Sequence, residues 1–150
     1  MRRADREILD PGKIEAVLKK ARVLRVAFAD ENRPYIVPVC FGYCSGAIFI
    51  HSADEGKKID ILRRNPHVCF EVDEESGVLG VGSPCSRGIA YRSVIGYGTA
   101  LFIHDDAGKR AGLSCIVSRY APETRGLPEN LGNVCVIRID ITEMTGKKGG

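Results

Sequence analysis

The sequence predicts a mainly β fold: a six-stranded antiparallel sheet curling toward a barrel, with short helices on its flanks. Three observations predict it. Short stretches rich in Val, Ile, Phe and Tyr recur along the chain, several of them with apolar residues at every second position. Turn signals join neighbouring stretches, Asp30-Glu31-Asn32-Arg33 in one place and Cys44-Ser45-Gly46 in another. Strands and helices do not alternate regularly, which removes a doubly wound sheet. An antiparallel sheet of this size closes on itself to remove its edges. The chain's 150 residues fit one domain, and 44% hydrophobic residues supply a core at this length.

Asp10-Pro11 opens the first helix, Asp as cap and Pro at the first helical position. Ile14, Val17, Leu18 and Ala21 follow at helical spacing. Residues 23–29 read as the first strand and 34–43 as the second. Pro34 starts that second strand, but Pro38 sits inside it and cannot donate to a ladder. The strand is therefore an edge or carries a bulge, and backbone groups near Pro38 are free for something other than a neighbour. Residues 47–51 form the third strand. The stretch HSADEGKKIDILRR comes next. Asp54 can cap a helix there, and Glu55 suits a first turn. Gly56 lets a bulky group approach, and Lys57 and Lys58 place two ammonium groups beside free N–H groups. That arrangement is a seat for a phosphate; a lysine pair solvating a helix face is the plainer reading of the same residues.

Asn65-Pro66 stops this second helix, and residues 67–72 form the fourth strand. Residues 73–83, acidic and then Gly-rich, read as a mobile loop, and its Gly80 and Gly82 are too sparse for a nucleotide fingerprint. Residues 89–103 make the fifth strand, with a bulge expected at Gly96 or Gly98. His104-Asp105-Asp106 caps a third helix over 107–120, with Leu113, Ile116, Val117 and Tyr120 on its inner stripe. Residues 133–144 form the last strand, and the Gly-Lys-Lys-Gly-Gly tail is expected to fray.

Net charge is +3, with both signs interspersed, so no nucleic-acid partner is expected. The N-terminus, MRRADREILDPGK, lacks the apolar core of a secretory signal, and no apolar run approaches the roughly 18 residues of a membrane span. The chain reads as soluble and cytoplasmic, with no membrane partner. Its six cysteines accordingly read as reduced thiols packed as small hydrophobes. Cys40 and Cys44 have a spacing loosely seen in metal sites, but no second pair completes four ligands, so no metal is expected. Cys85 reads as a silent thiol, and His67 and His104 as structural.

Four segments occur in a telling order: RPYIVPVCFGY, then FIHSADEGKKIDILRRNPHVCFEVD, then YRSVIGYG, then a helix ending in RY. Together they resemble the pyridoxamine 5′-phosphate oxidase-like FMN-binding split barrels, and within them the nitroimidazole-resistance branch. The resemblance covers nearly the whole chain. It implies a six-stranded split barrel and a homodimer with FMN at the interface. Val37, Pro38, Val39, Cys40 and Phe41 would line the isoalloxazine through backbone groups, and His51, Ser52 and Ala53 would continue that wall. Lys57 and Lys58 would pair with the FMN phosphate, either one making the direct contact. Arg92, Ser93 and Val94 would reach the flavin, in part from the second subunit.

The resemblance further implies that the flavin carries hydride or electrons while the protein supplies position and electrostatics. His51 would be the catalytic residue, contacting substrate or supplying a proton; a strand-end histidine that only packs is the alternative. The implied activity is FMN-dependent reduction of a nitro group or another small electrophilic acceptor. A flavin-binding sensor or carrier without turnover stays open. So does an oxidase of the pyridoxamine-phosphate type, which the chain disfavours by having no Trp and ending in Gly-Lys-Lys-Gly-Gly.

Overall fold

The computed structural model describes residues 3–80, 88–124, 126–132 and 134–149. A single 3-10 turn, Ala4–Arg6, leads into β1 (Glu7–Ile8) and α1 (Pro11–Lys20). Then come β2 (Leu24–Asp30), β3 (Arg33–Val39), β4 (Phe41–Cys44), β5 (Ala47–Ser52) and α2 (Lys57–Arg64). β6 (His67–Leu79), β7 (Gly88–Ile103), α3 (Asp106–Tyr120) and β8 (Cys135–Gly149) complete the order. The strands form one sheet, ordered β3-β2-β6-β7-β8-β5-β4 with β1 on β8, and every pairing is antiparallel. β3 and β4 are the two ends of that order, yet only Cys40 separates them along the chain. Adjacent Cα atoms are about 3.8 Å apart, so the sheet's two ends meet at Cys40 without pairing. The sheet is a barrel left open along one seam, a split barrel.

The strand count is eight rather than six, for two reasons. The N-terminal pair Glu7–Ile8 adds a short strand against Lys147 and Gly146. The proline-containing strand divides at Cys40, where the chain crosses from one end of the sheet to the other. The loop expected over residues 73–83 is strand as far as Leu79, with a bulge between Glu75 and Gly77. Cross-strand pairing makes that acidic run tolerable: Arg25 holds Glu71 at 3.0 Å and Asp73 at 2.5 Å, while Glu74 sits between Lys20 at 2.7 Å and Arg92 at 3.2 Å. Gly82, Cys85 and Asn133 lie outside the described residues. As far as Gly149 the tail expected to fray is strand instead. Lys147, Lys148 and Gly149 pair with Ser93, Arg92 and Tyr91, because β7 is long enough to give them partners.

The helices start much as the sequence directs. Asp10 accepts from the Gly12 N–H at 2.9 Å, and Asp105 from the Gly108 N–H at 2.7 Å. α2 differs: its cap is Gly56 at φ +108°, and Asp54 and Glu55 stay outside the helix. Ile59 and Leu62 are buried as expected, joined by Ile61. On α3 the buried residues are Gly112, Leu113, Cys115 and Ile116, so the inner stripe is shifted from Val117 and Tyr120. The bulge expected near the paired glycines occurs between Tyr97 and Gly98 against β8. A Cβ on Gly98 would lie 2.6 Å from the Asp140 carbonyl oxygen, and one on Gly96 would strike the Phe70 ring. The glycines let β8 and a core aromatic come close.

Cys44 and Cys115 form a disulfide, which overturns the reduced-thiol expectation for these two. α3 lies directly on β4; a Cβ on Gly42 would sit 2.6 Å from the Cys115 carbonyl carbon. The last turn of α3 adds a second fastening. Tyr120 accepts from the Phe41 N–H at 3.1 Å and donates to the Arg22 carbonyl at 2.8 Å. The Arg119 guanidinium lies 4.1 Å from the Phe41 ring centroid and donates to the carbonyls of Leu18, at 3.0 Å, and Ala21, at the end of α1. The RY pair therefore ties α3, α1 and the first residue of β4 together. No helix among the described residues is long and apolar enough to cross a membrane.

The disulfide joins residues 71 positions apart, and closing a loop of that length stabilises by about 4 kcal/mol in the chain-entropy limit. Urea unfolding with dithiothreitol should show a loss of about 2–4 kcal/mol, and thiol titration should count two additional groups. Equal stability with those two thiols free would contradict this account.

Candidate functional site

β3 ends the sheet, and its sequence explains why. Pro34 and Pro38 lack N–H groups and occupy alternate positions opposite Ala29 and Arg25. Bonding to β2 therefore falls to Tyr35, Val37 and Val39, while the carbonyls of Pro34, Ile36 and Pro38 turn to the open edge. The same alternation sorts the side chains. Tyr35, Val37 and Val39 pack against the core; Ile36, Pro38 and Cys40 are exposed. Phe41 is fully buried, and its N–H is already bonded to Tyr120.

Across the seam, β5 and β8 bring Ser52 opposite Cys135, both half-buried and facing the barrel interior. His51 pairs with Val136 on the other face of the same strands and is exposed. Residues 53–56 then turn into α2. The N–H groups of Ile59 and Asp60 bond the Gly56 carbonyl at 2.8 and 3.1 Å, and no side chain caps the helix. The N–H groups of Lys57 and Lys58 thus point out of its positive end.

The two lysine side chains diverge. Lys57 Nζ lies 4.7 Å from the centroid of the Tyr35 ring on β3. Lys58 is half-buried beside the Cys135 thiol on β8, and burial pushes its ammonium down from the ordinary lysine value. Burial pushes the Cys135 thiol up, against the pull of Lys109 and Lys58, so it stays protonated at neutral pH. Among the described residues neither Lys57 nor Lys58 has a carboxylate within 4.0 Å. An ammonium partly stripped of water and lacking a counterion is a site waiting for an anion. No group of three His, Cys, Asp or Glu residues is placed to hold a metal among the described residues.

The end of β3, the end of β5 and the start of α2 therefore lie at one mouth of the barrel, with Phe41 beside Ile50 and Lys57 over Tyr35. Arg92, Ser93 and Val94 are elsewhere. Lys148, opposite Arg92, is thirteen residues along β8 from Cys135, a path of about 40 Å at about 3.3 Å per residue. Arg92 bonds Glu74, and Val94 is fully buried in the core. Sequence reasoning missed Tyr35 and Cys135. Tyr35 carries a signal in the alternation of RPYIVPV; Cys135 carries none, because its place beside Lys58 depends on strand pairing alone.

The chain matches the family model of pyridoxamine 5′-phosphate oxidase over residues 10–148. This chain belongs to that family. Its fold agrees with solved relatives. A candidate 5-nitroimidazole antibiotic resistance protein from Bacteroides thetaiotaomicron is 33% identical, with 95% of this chain and 86% of that one covered and a TM-score of 0.83. An FAD-binding protein from Mesorhizobium loti is 26% identical over 95% of this chain and 96% of that one, TM-score 0.72. An FAD- and heme-binding protein from Mycobacterium smegmatis reaches a TM-score of 0.86 at 22% identity, covering 96% of this chain and 73% of its own, and shows likeness of fold alone. No curated protein sequence matches this chain.

Proposed function

We propose that this family member binds FMN at the barrel mouth and uses it to reduce a nitro group or another small electrophile. The observation carrying the proposal is the pair of counterion-free lysines at the uncapped start of α2. A phosphate dianion there would accept from the N–H groups of Lys57 and Lys58 and from both ammonium groups, replacing the water that Lys58 has lost. The flavin ring would lie along the open edge of β3, where the carbonyls of Pro34, Ile36 and Pro38 face no neighbouring strand. The relatives named for flavin binding or nitroimidazole resistance support the same reading. When bound, the flavin supplies two-electron chemistry. Reduction of a nitro group to nitroso and water consumes two electrons and two protons, and the exposed His51 imidazole at the rim supplies a proton.

The active unit in this proposal is a homodimer. On its own chain Arg92 is engaged with Glu74, and no side-chain contact joins it to Lys57 or Lys58 among the described residues. A second copy would bring Arg92 and Ser93 there, while Val94 stays in the core of its own chain. The outer face of β7 suits such packing, with Ile95, Tyr97 and Leu101 45%, 53% and 45% exposed beside the half-buried Ser93.

Replacing Lys57 and Lys58 together by Ala should remove FMN binding while leaving the dimer's mass unchanged in sedimentation; flavin retained at equal affinity would exclude the phosphate seat. In the wild type, FMN affinity should fall on the alkaline side. Lys58, its value lowered, loses its proton below the pH at which an ordinary lysine does, and only the charged form holds the dianion. Lys58→Arg should carry binding to higher pH. His51→Ala should keep the flavin and slow loss of nitroimidazole absorbance under dithionite by about 10²-fold. Undiminished turnover would make His51 structural, and a wild type that stops after one equivalent would be a carrier. Ile95→Asp should yield a folded monomer with weakened FMN binding; a dimer with normal flavin content would move the interface elsewhere.

A further inference from the structure

The two lysines are not equivalent, and the difference lies in what each one leans on. Lys58 rests against β8 and β5, on one side of the seam, beside Cys135 and near Ser52. Lys57 crosses to the other side and sits over the face of Tyr35 on β3, with no carboxylate near it among the described residues. Left in solvent, a lysine at an exposed helix start samples many rotamers. Over an aromatic face it is held in one region, because the ring's negative quadrupole attracts the ammonium. The ring is itself fixed. Tyr35 is half-buried, packs against the core, and lies opposite Phe28, with ring centroids 6.0 Å apart. Its phenol oxygen makes no side-chain hydrogen bond among the described residues, so the face of the ring, not the hydroxyl, does the holding.

We propose that Tyr35 is a positioning residue: it holds Lys57 as one arm of a phosphate clamp whose other arm is Lys58, and so sets a preference for flavin bearing a terminal phosphate over flavin without one. The proposal rests on the FMN reading above and adds to it a residue that touches no ligand atom. The clamp spans the seam, one arm fixed to each side, with the free N–H groups of α2 between them. Its effect belongs to the phosphate alone. Riboflavin, which shares the ring system and sugar chain, should be indifferent to it.

The test measures dissociation constants of FMN and riboflavin on the purified protein by flavin fluorescence. Tyr35→Phe keeps the ring face and should leave both constants unchanged. Tyr35→Leu should weaken FMN about fivefold to tenfold and leave riboflavin unchanged. In a Lys57→Ala background, Tyr35→Leu should cost FMN nothing further, since the partner it positions is gone. Equal weakening of FMN and riboflavin by Tyr35→Leu would show that the ring shapes the flavin wall instead, and would overturn the proposal. So would additive effects of the two substitutions, or unaltered FMN binding in Tyr35→Leu. Wild-type protein binding riboflavin as tightly as FMN removes the clamp while sparing a flavin site; binding of neither removes both.

Discussion

Two prolines keep this barrel open. A closed barrel would need the free edge of β3 to bond the free edge of β4, and Pro34 and Pro38 leave that edge with Ile36 as the one donor among its outward-facing positions. A seam in a sheet is a liability, since unpaired carbonyls invite any passing strand. Here the seam is short of donors, joined at one end by Cys40, and crossed at the mouth by the start of α2. The helix supplies what the prolines withhold. Its first N–H groups and its two lysines bring donors to the place where the strand offers mostly acceptors. An edge rich in acceptors beside a helix start rich in donors is a surface with two chemistries within reach of one ligand.

The charges around that mouth sharpen the point. Several cations elsewhere among the described residues have close partners; Arg25, Arg64, Arg110 and Arg138 each have a carboxylate within 3.0 Å. Asp60 is in the first turn of α2 itself, but its nearest cation is Arg63 at 3.9 Å. Asp54 and Glu55 precede the helix without capping it. Acidic residues are therefore available within a few positions of both lysines, and the fold leaves them unused. Exposed ion pairs are worth little, so the missing pairs sacrifice little stability. A half-buried ammonium such as Lys58 is different, because its lost hydration is recovered only when an anion arrives.

Local signals in the sequence were reliable where the physics is local. Asp10 and Asp105 cap because a carboxylate two or three residues from a free N–H can reach it in any context. Pro38 marked an edge because a missing donor cannot be hidden inside a ladder. The helix start at Lys57 and Lys58 was legible for a similar reason, although the capping role given to Asp54 passed to Gly56, whose φ of +108° sets the turn. What stayed hidden depends on which strands become neighbours. Cys44 and Cys115 are 71 residues apart and meet only because α3 lies on β4. The acidic run after Val72 looked like a loop because its counterions, Lys20, Arg25 and Arg92, come from three other elements. Tyr35 and Cys135 read as ordinary strand residues until the seam sets one beside each lysine.

The same pairing puts the proposed anchoring residues and the proposed proton donor one residue apart, on opposite faces. Ser52 and Cys135 share a rung and face the barrel interior with the lysines; His51 and Val136 share the next rung and face the other way. Strand alternation makes that division obligatory, since moving His51 to the inner face would shift the register of all of β5 and expose Ile48 and Ile50, both fully buried. In the proposed reading, a proton donor on the outer rim would meet an acceptor arriving from solvent without displacing the proposed phosphate site. The far end of the sheet divides in the same way. Beyond the exposed Arg92, alternation holds in YRSVIGYG: Ile95 and Tyr97 are exposed while Val94, Gly96 and Gly98 are buried. One period-two rule thus sorts, at both ends of the sheet, the residues that build the barrel from those left at its surface.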